Sequence, residues 1–313
     1  MNVVVAPDSY KGCLSAREVA ATMASALRSR HLGWNVVEHP LADGGEGTVD
    51  VVVPAVGGTF CEAPVSDPLG RPVTARFGLH GDTAVVEVSE ACGLRRLAPE
   101  ERNPLIAHTY GVGELLLAAH AQGARRFLVG LGGTATCDGG AGMMRVPGLR
   151  GTLEGCSFEI LCDVQVPFVG PEGAACRYAP QKGASPEDVR LLEKRMEALA
   201  GIMLSETGVD VLRLPGTGAA GGLAGAFMAY FGAENVSGID RILDLTGFDA
   251  ADTSKVYTLL SADAIAALPS ASLLNNVNAA LKGSKWLFSV RKDGDGASLV
   301  LKWAPTGTCL VFR

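Results

Sequence analysis

The alternation of apolar runs with polar, glycine-rich breaks predicts strands that repeatedly end in loops suited to ligands. Residues 2–6 form a short apolar run that gives way to Pro7-Asp8-Ser9-Tyr10-Lys11. A helix is predicted from Ser15, because Ser15 and Glu18 have capping-box spacing and Val19, Met23, Ala26 and Leu27 recur on one helical face. Gly33 ends that helix, and residues 34–41 read as a second strand running into Asp43-Gly44-Gly45-Glu46-Gly47. Such a βαβ opening puts two polar loops at the carboxyl edge of a parallel sheet, where open α/β sheets bind ligands. From residue 60 the pattern changes to strict alternation over 60–65, 73–79 and 83–88, broken by Asp67-Pro68-Leu69-Gly70-Arg71 and by Gly81-Asp82. This predicts an antiparallel meander, with Asp67 and Arg71 fixing its turn.

The stretch RFLVGLGGTATCDGGAGMM (126–144) is the centre of the chain's chemistry. A strand breaks into Gly130, Gly132 and Gly133, then Thr134, Thr136 and Asp138, with a helix expected from 138 or 139. Glycines and hydroxyls after a strand can turn backbone N–H groups toward a phosphate; they can equally serve close strand–helix packing. Residues 158–163 are another strand ending on a carboxylate, Asp163, which is placed to act as a general base or as a cap. Gln181-Lys182-Gly183 precedes a strong helix start at Ser185-Pro186, whose Val189, Leu192, Met196, Leu199 and Met203 make a core stripe. Gly216, Gly218 and Gly221 open a further apolar helix and again suit an anion. By contrast, Gly111-x-Gly113 lacks a preceding strand and is a weak nucleotide signal, and no GxxxxGK[ST] occurs. Lys11 reads either as a solvated surface lysine or as a phosphate clamp. Asp43 and Glu46 read as metal or substrate ligands, or as an ordinary acidic turn.

Composition narrows the class. In 313 residues, 48% hydrophobic and 19% charged, the chain has room for two packed domains. Its 40 glycines are roughly twice the usual share and fall in clusters without a repeat. A net charge of −6 with no basic stripe argues against nucleic acid as a partner. Eight scattered cysteines without a CxxC pair fit a reducing compartment. With no secretory leader pattern and no membrane-spanning apolar run, a cytoplasmic protein is expected.

Taken together, PDSYKGCLSA (7–16), LADGGEGTV (41–49), DPLGRPV (67–73), ERNPL (101–105), TYGVGELL (109–116), GLGGTATCDGGAGM (130–143), CDV (162–164), GPEGAA (170–175), PQKGA (180–184) and GTGAAGGL (216–223) resemble the bacterial-type glycerate kinase family, the glycerate 2-kinases. The match runs in family order over roughly the first 250 residues. The resemblance implies phosphorylation of D-glycerate from ATP with Mg²⁺, 2-phosphoglycerate being the favoured product. It implies two α/β domains: a Rossmann- or flavodoxin-like parallel-sheet domain and a mixed α/β domain inserted after it. Residues 1–59 would begin the first, 60–250 would form the second with its glycine-rich substrate loops, and 251–313 would return to complete the first.

Phosphoryl transfer needs donors on the phosphates, a metal, and a carboxylate to take the hydroxyl proton. Asp163 is the first choice for that base, Asp138 the second, and Lys11 the clamp on carboxylate or phosphoryl. Asp8, Ser9, Gly44, Gly45, Gly132, Gly133, Thr134, Thr136 and Lys182 join Gly216, Gly218 and Gly221 as substrate- or nucleotide-binding positions. Asp43 and Glu46 would hold metal or substrate.

Three departures stand against this resemblance. The segment between Met143 and Cys162 is shorter than in the family, so a peripheral strand–helix piece is expected to be missing. Val166-Pro167-Phe168 replaces an Asn-Pro-Leu and removes a polar side chain near Asp163. After about residue 252 the family pattern and its T-G-E-G-x-x-D motif give way to a segment without a single Glu, with Asp293-Gly294-Asp295-Gly296 as a hairpin turn. A parallel sheet lacking its returning strands would expose apolar edges, so poor solubility or homo-oligomerisation is also expected.

Overall fold

The computed structural model describes residues 2–10, 13–238 and 241–242, together with strands at 286–293, 296–303 and 309–312. The fold is mixed α/β, and the chain divides into one unit of residues 1–42 with 242–313 and another of residues 43–241. Lys11, the T-G-E-G comparison and the Asp293–Gly296 turn tip fall wholly or partly outside the described residues.

In the first unit, β1 (Asn2–Val5) pairs in parallel with β2 (Asn35–Glu38), and α1 (Ala16–Arg30) connects them. The capping box forms as the sequence requires: the Ser15 side chain accepts from Glu18 N–H, and the Glu18 carboxylate accepts from Ser15 N–H. Val3, Val5 and Val36 pack on Ala20 and Ala24. Small residues on α1 let the helix lie close to the two strands. The later strands β9 (Trp286–Asp293), β10 (Gly296–Trp303) and β11 (Cys309–Phe312) form an antiparallel sheet with β10 in the middle. β9 and β10 pair antiparallel, with Asp293 opposite Gly296 on either side of the expected turn.

The second unit is built on a six-stranded sheet. After α2 (Thr48–Ala55) come β3 (Thr59–Ser66), β4 (Pro72–His80) and β5 (Thr83–Glu87), paired antiparallel as the alternating pattern predicts. The short α3 (Ser89–Cys92) and the apolar α4 (Tyr110–Ala121) lead to β6 (Arg126–Gly130), which pairs in parallel with β5. Two single-turn helices, α5 (Ala141–Met144) and α6 (Leu149–Thr152), carry the connection to β7 (Ser157–Leu161). Then follow α7 (Ala174–Tyr178), α8 (Pro186–Thr207), α9 (Leu223–Phe231) and β8 (Glu234–Val236). Strand order is β3-β4-β5-β6-β7-β8, with β5 to β8 all parallel. Phe127 of β6 stacks on Phe158 of β7 at 4.7 Å, and Phe158 meets Phe231 of α9 at 4.9 Å. This aromatic seam locks α9 onto the parallel half, so the carboxyl ends of β5, β6 and β7 come out together at one edge.

The Gly111-x-Gly113 pair lies inside α4 and is a packing device. A Cβ at Gly111 would sit 1.8 Å from the Ser66 carbonyl oxygen, so the helix can approach β3 only without a side chain there.

Candidate active site

Three segments meet at the carboxyl edge of the parallel strands. The Asp43–Gly47 loop lies backbone to backbone on the turn after β6. Gly132 N–H donates to Gly44 O at 3.2 Å, and a Cβ on Gly132 would come within 2.5 Å of Gly45 Cα. Asp43 Oδ1 accepts from Gly45 N–H at 2.8 Å. Glu46 is exposed and paired with Arg95 at 2.7 Å.

The turn itself is held from below. Lys182 is 3% exposed, and its Nζ donates to Thr134 Oγ1 at 3.1 Å and to the Thr136 carbonyl at 2.7 Å. Burial lowers the Lys182 pKa; Cys137, Cys92 and Asp138 act the other way. Burial also pushes the Cys92 thiol up to about 12 and Cys137 up to about 11, so both stay protonated and inert at neutral pH. Among the described residues, no acceptor takes the N–H of Gly133 or Thr134, and Gly133 is exposed. An exposed glycine N–H without an acceptor, on a turn braced by a buried cation, suits an anion.

Asp138 is fully engaged in bracing the turn. Its Oδ2 accepts from Thr109 N–H and Thr109 Oγ1, both at 2.9 Å, and from Gly142 N–H at 3.0 Å, while Oδ1 accepts from Gly140 N–H. Asp163 follows β7 and is half-buried, with Oδ1 accepting from Gly238 N–H at 3.2 Å. A Cβ on Gly238 would meet the Asp43 backbone oxygen at 2.2 Å, so the Asp43 and Asp163 segments converge on one glycine.

The turn at 216–222 packs largely against its neighbours. Gly221 has φ +67 and would clash with the Thr136 carbonyl at 2.1 Å, and its own carbonyl accepts from Gly139 N–H at 3.0 Å. Gly218 lies against the Pro167 carbonyl and Gly216 against the Asn235 side chain. This turn therefore supports the 130–140 turn from behind. Asp8 and Ser9 belong to the first unit, where Asp8 Oδ1 accepts from Ser9 N–H at 2.6 Å.

Glu87, another carboxylate at a strand's carboxyl end, was not singled out from the sequence. It ends β5, is 3% exposed, and its Oε1 accepts from Gly47 N–H at 3.1 Å and Val49 N–H at 2.7 Å. Desolvation pushes its carboxyl up to about 7 against the two N–H bonds that would lower it. The signal was present: a carboxylate at the end of an apolar strand, the same signal that selected Asp163. Phe168 is the second omission. It is fully buried against Gly139, Gly222 and Gly225, filling the space those glycines leave.

No cluster of three or more His, Cys, Asp or Glu suited to a metal occurs among the described residues. Mg²⁺ is commonly held by one or two carboxylates plus substrate phosphates, so the test is the donor set. Glu46 is already paired with Arg95, whereas Asp43, on the loop that packs against Gly132, offers a hard oxygen that fits such an ion.

A glycine turn with an acceptor-free N–H and strand-end carboxylates on an α/β scaffold is compatible with phosphoryl transfer. The model of the glycerate kinase family matches residues 3–152 and 144–259, and the chain belongs to that family. Its two matched stretches overlap at residues 144–152, in the connection between β6 and β7, and the match ends before β9. A glycerate kinase of Bacillus subtilis (strain 168) is 38% identical over 280 residues, covering 80% of this chain and 73% of the relative. A glycerate 2-kinase of Escherichia coli (strain K12) is 39% identical over 272 residues, covering 77% and 71%. The crystal structure of a glycerate kinase 2 candidate from Salmonella typhimurium LT2 superposes with a TM-score of 0.72 at 36% identity, covering 83% of this chain and 78% of that one. Among the described residues, no helix is long and apolar enough to cross a membrane.

Proposed function

We propose that this chain transfers the γ-phosphoryl group of ATP to D-glycerate, with 2-phosphoglycerate as the favoured product and cytoplasmic glycerate metabolism as its setting. The observation that carries the reading is the exposed Gly133 N–H, which no acceptor takes among the described residues, on the glycine turn after β6. Glycerate brings a carboxylate and ATP a triphosphate, and the turn suits either anion. Asp163 takes the proton of the attacking hydroxyl. Its hydrogen bond from Gly238 N–H orients the carboxylate, and its position at a strand end gives it a rigid base. Asp138 holds the turn, because four donors already occupy it. Mg²⁺, held by Asp43 together with substrate phosphates, would neutralise charge on those phosphates. Lys11, Asp8 and Ser9 are further candidates to bind an anionic substrate.

A coupled ADP-release assay with D-glycerate and ATP tests the reading, with phosphorus NMR to identify the product. Glycerate-dependent ADP release and a 2-phospho product are expected; no turnover from a cooperatively melting protein refutes it. A second reading, binding of glycerate or nucleotide without turnover, rests on the end of the family match at residue 259. Calorimetric binding without ADP release would establish it.

A further inference from the structure

A buried lysine whose direct partners are neutral oxygens is expensive, because desolvation of the ammonium is offset by dipoles alone. Lys182 is in that position: its two direct partners are the Thr134 hydroxyl and the Thr136 carbonyl, and Asp138 acts on it only electrostatically. Its place explains the expense. The ammonium turns the Thr136 carbonyl inward, and the same backbone leaves the N–H groups of Gly133 and Thr134 without an acceptor. The thiols nearby, Cys92 and Cys137, stay neutral and do not screen the charge. At 3% exposure the ammonium itself is sealed from any ligand.

We propose that Lys182 is a positioning residue for phosphoryl transfer: from beneath the turn it fixes residues 133–136 in their anion-accepting form and lends its field to the anion bound above, without touching it. The inference rests on the proposed kinase reaction, in which that anion is glycerate carboxylate or a phosphate of ATP. A charge in a low-dielectric interior acts more strongly on such an anion than the same charge in water.

Lys182→Met keeps the length and removes the charge. In this variant the KM of the substrate seated on the turn is expected to rise at least tenfold while the KM of the other substrate stays unchanged. Lys182→Arg, which restores the charge, is expected to recover part of that loss. A purely structural lysine would lower kcat through the active fraction and leave both KM values alone; that result, or wild-type kinetics in Lys182→Met, overturns the proposal. If the variant does not fold, nitrogen-15 lysine NMR of the wild type decides. Adding inorganic phosphate, and separately D-glycerate, should shift a hydrogen-bonded, slowly exchanging Lys182 ammonium signal, and a signal indifferent to both overturns the proposal. Because the NMR arm needs no turnover, an inactive wild-type chain would refute the kinase reading while the role of Lys182 is still judged on anion binding.

Discussion

Glu87 makes a stability prediction that its surroundings fix in sign and size. Its carboxyl is raised from 4.5 to about 7 in the fold, because burial outweighs the two N–H donors at the start of α2. Across that window the folded protein holds the proton more tightly than the unfolded chain, so this group's stabilisation is fully present below pH 4.5 and is lost as pH rises through 7. Integrating between pH 5 and pH 8 gives a loss of about 2.5 kcal/mol from this single group. Glu87→Gln keeps an oxygen for the Gly47 and Val49 N–H groups and removes the titration. Urea unfolding of both proteins at several pH values isolates the effect, because every other titrating group cancels in the difference. The advantage of Glu87→Gln over the wild type should grow by about 2.5 kcal/mol from pH 5 to pH 8. A difference that stays constant over that range refutes the argument and shows Glu87 to be ionised at an ordinary pKa.

Phe168→Ala removes a fully buried ring that fills the gap left by Gly139, Gly222 and Gly225, and is expected to cost about 3–5 kcal/mol in urea unfolding. Gly221→Ala places a Cβ 2.1 Å from the Thr136 carbonyl at φ +67, so it should destabilise by more than about 1 kcal/mol. It should also disturb anion binding, read by thermal shift with and without phosphate. Asp163→Asn is expected to lower kcat by about 10²–10⁴ with a nearly unchanged melt and KM, as measured by steady-state kinetics and calorimetry. Wild-type turnover in that variant would remove Asp163 from the chemistry.

Local patterns carried much of the fold into view. The Ser15–Glu18 capping box, the alternation over β3 to β5, the Ser185-Pro186 helix start and the core stripe of α8 each depend on neighbours a few residues away, and each forms as the sequence implies. The turn after β6 was legible as a glycine-rich strand end. The packing reading holds for Gly132 and Gly221, which lie backbone on backbone, while the Gly133 N–H has no acceptor among the described residues.

The sequence by itself therefore determined many of the elements and the family, because propensity, periodicity and motif are local properties. Tertiary structure alone decided what each polar group does. Asp138 and Asp163 look alike in sequence, yet Asp138 is consumed by donors from Thr109, 29 residues away, and from its own turn. Lys182 lies 48 residues from Thr134 and Glu87 lies 38 from Val49, and neither contact has a local signature. Burial and charge are set by whatever the fold brings alongside, so the site's electrostatics appear only when β5, β6 and β7 end at the same edge.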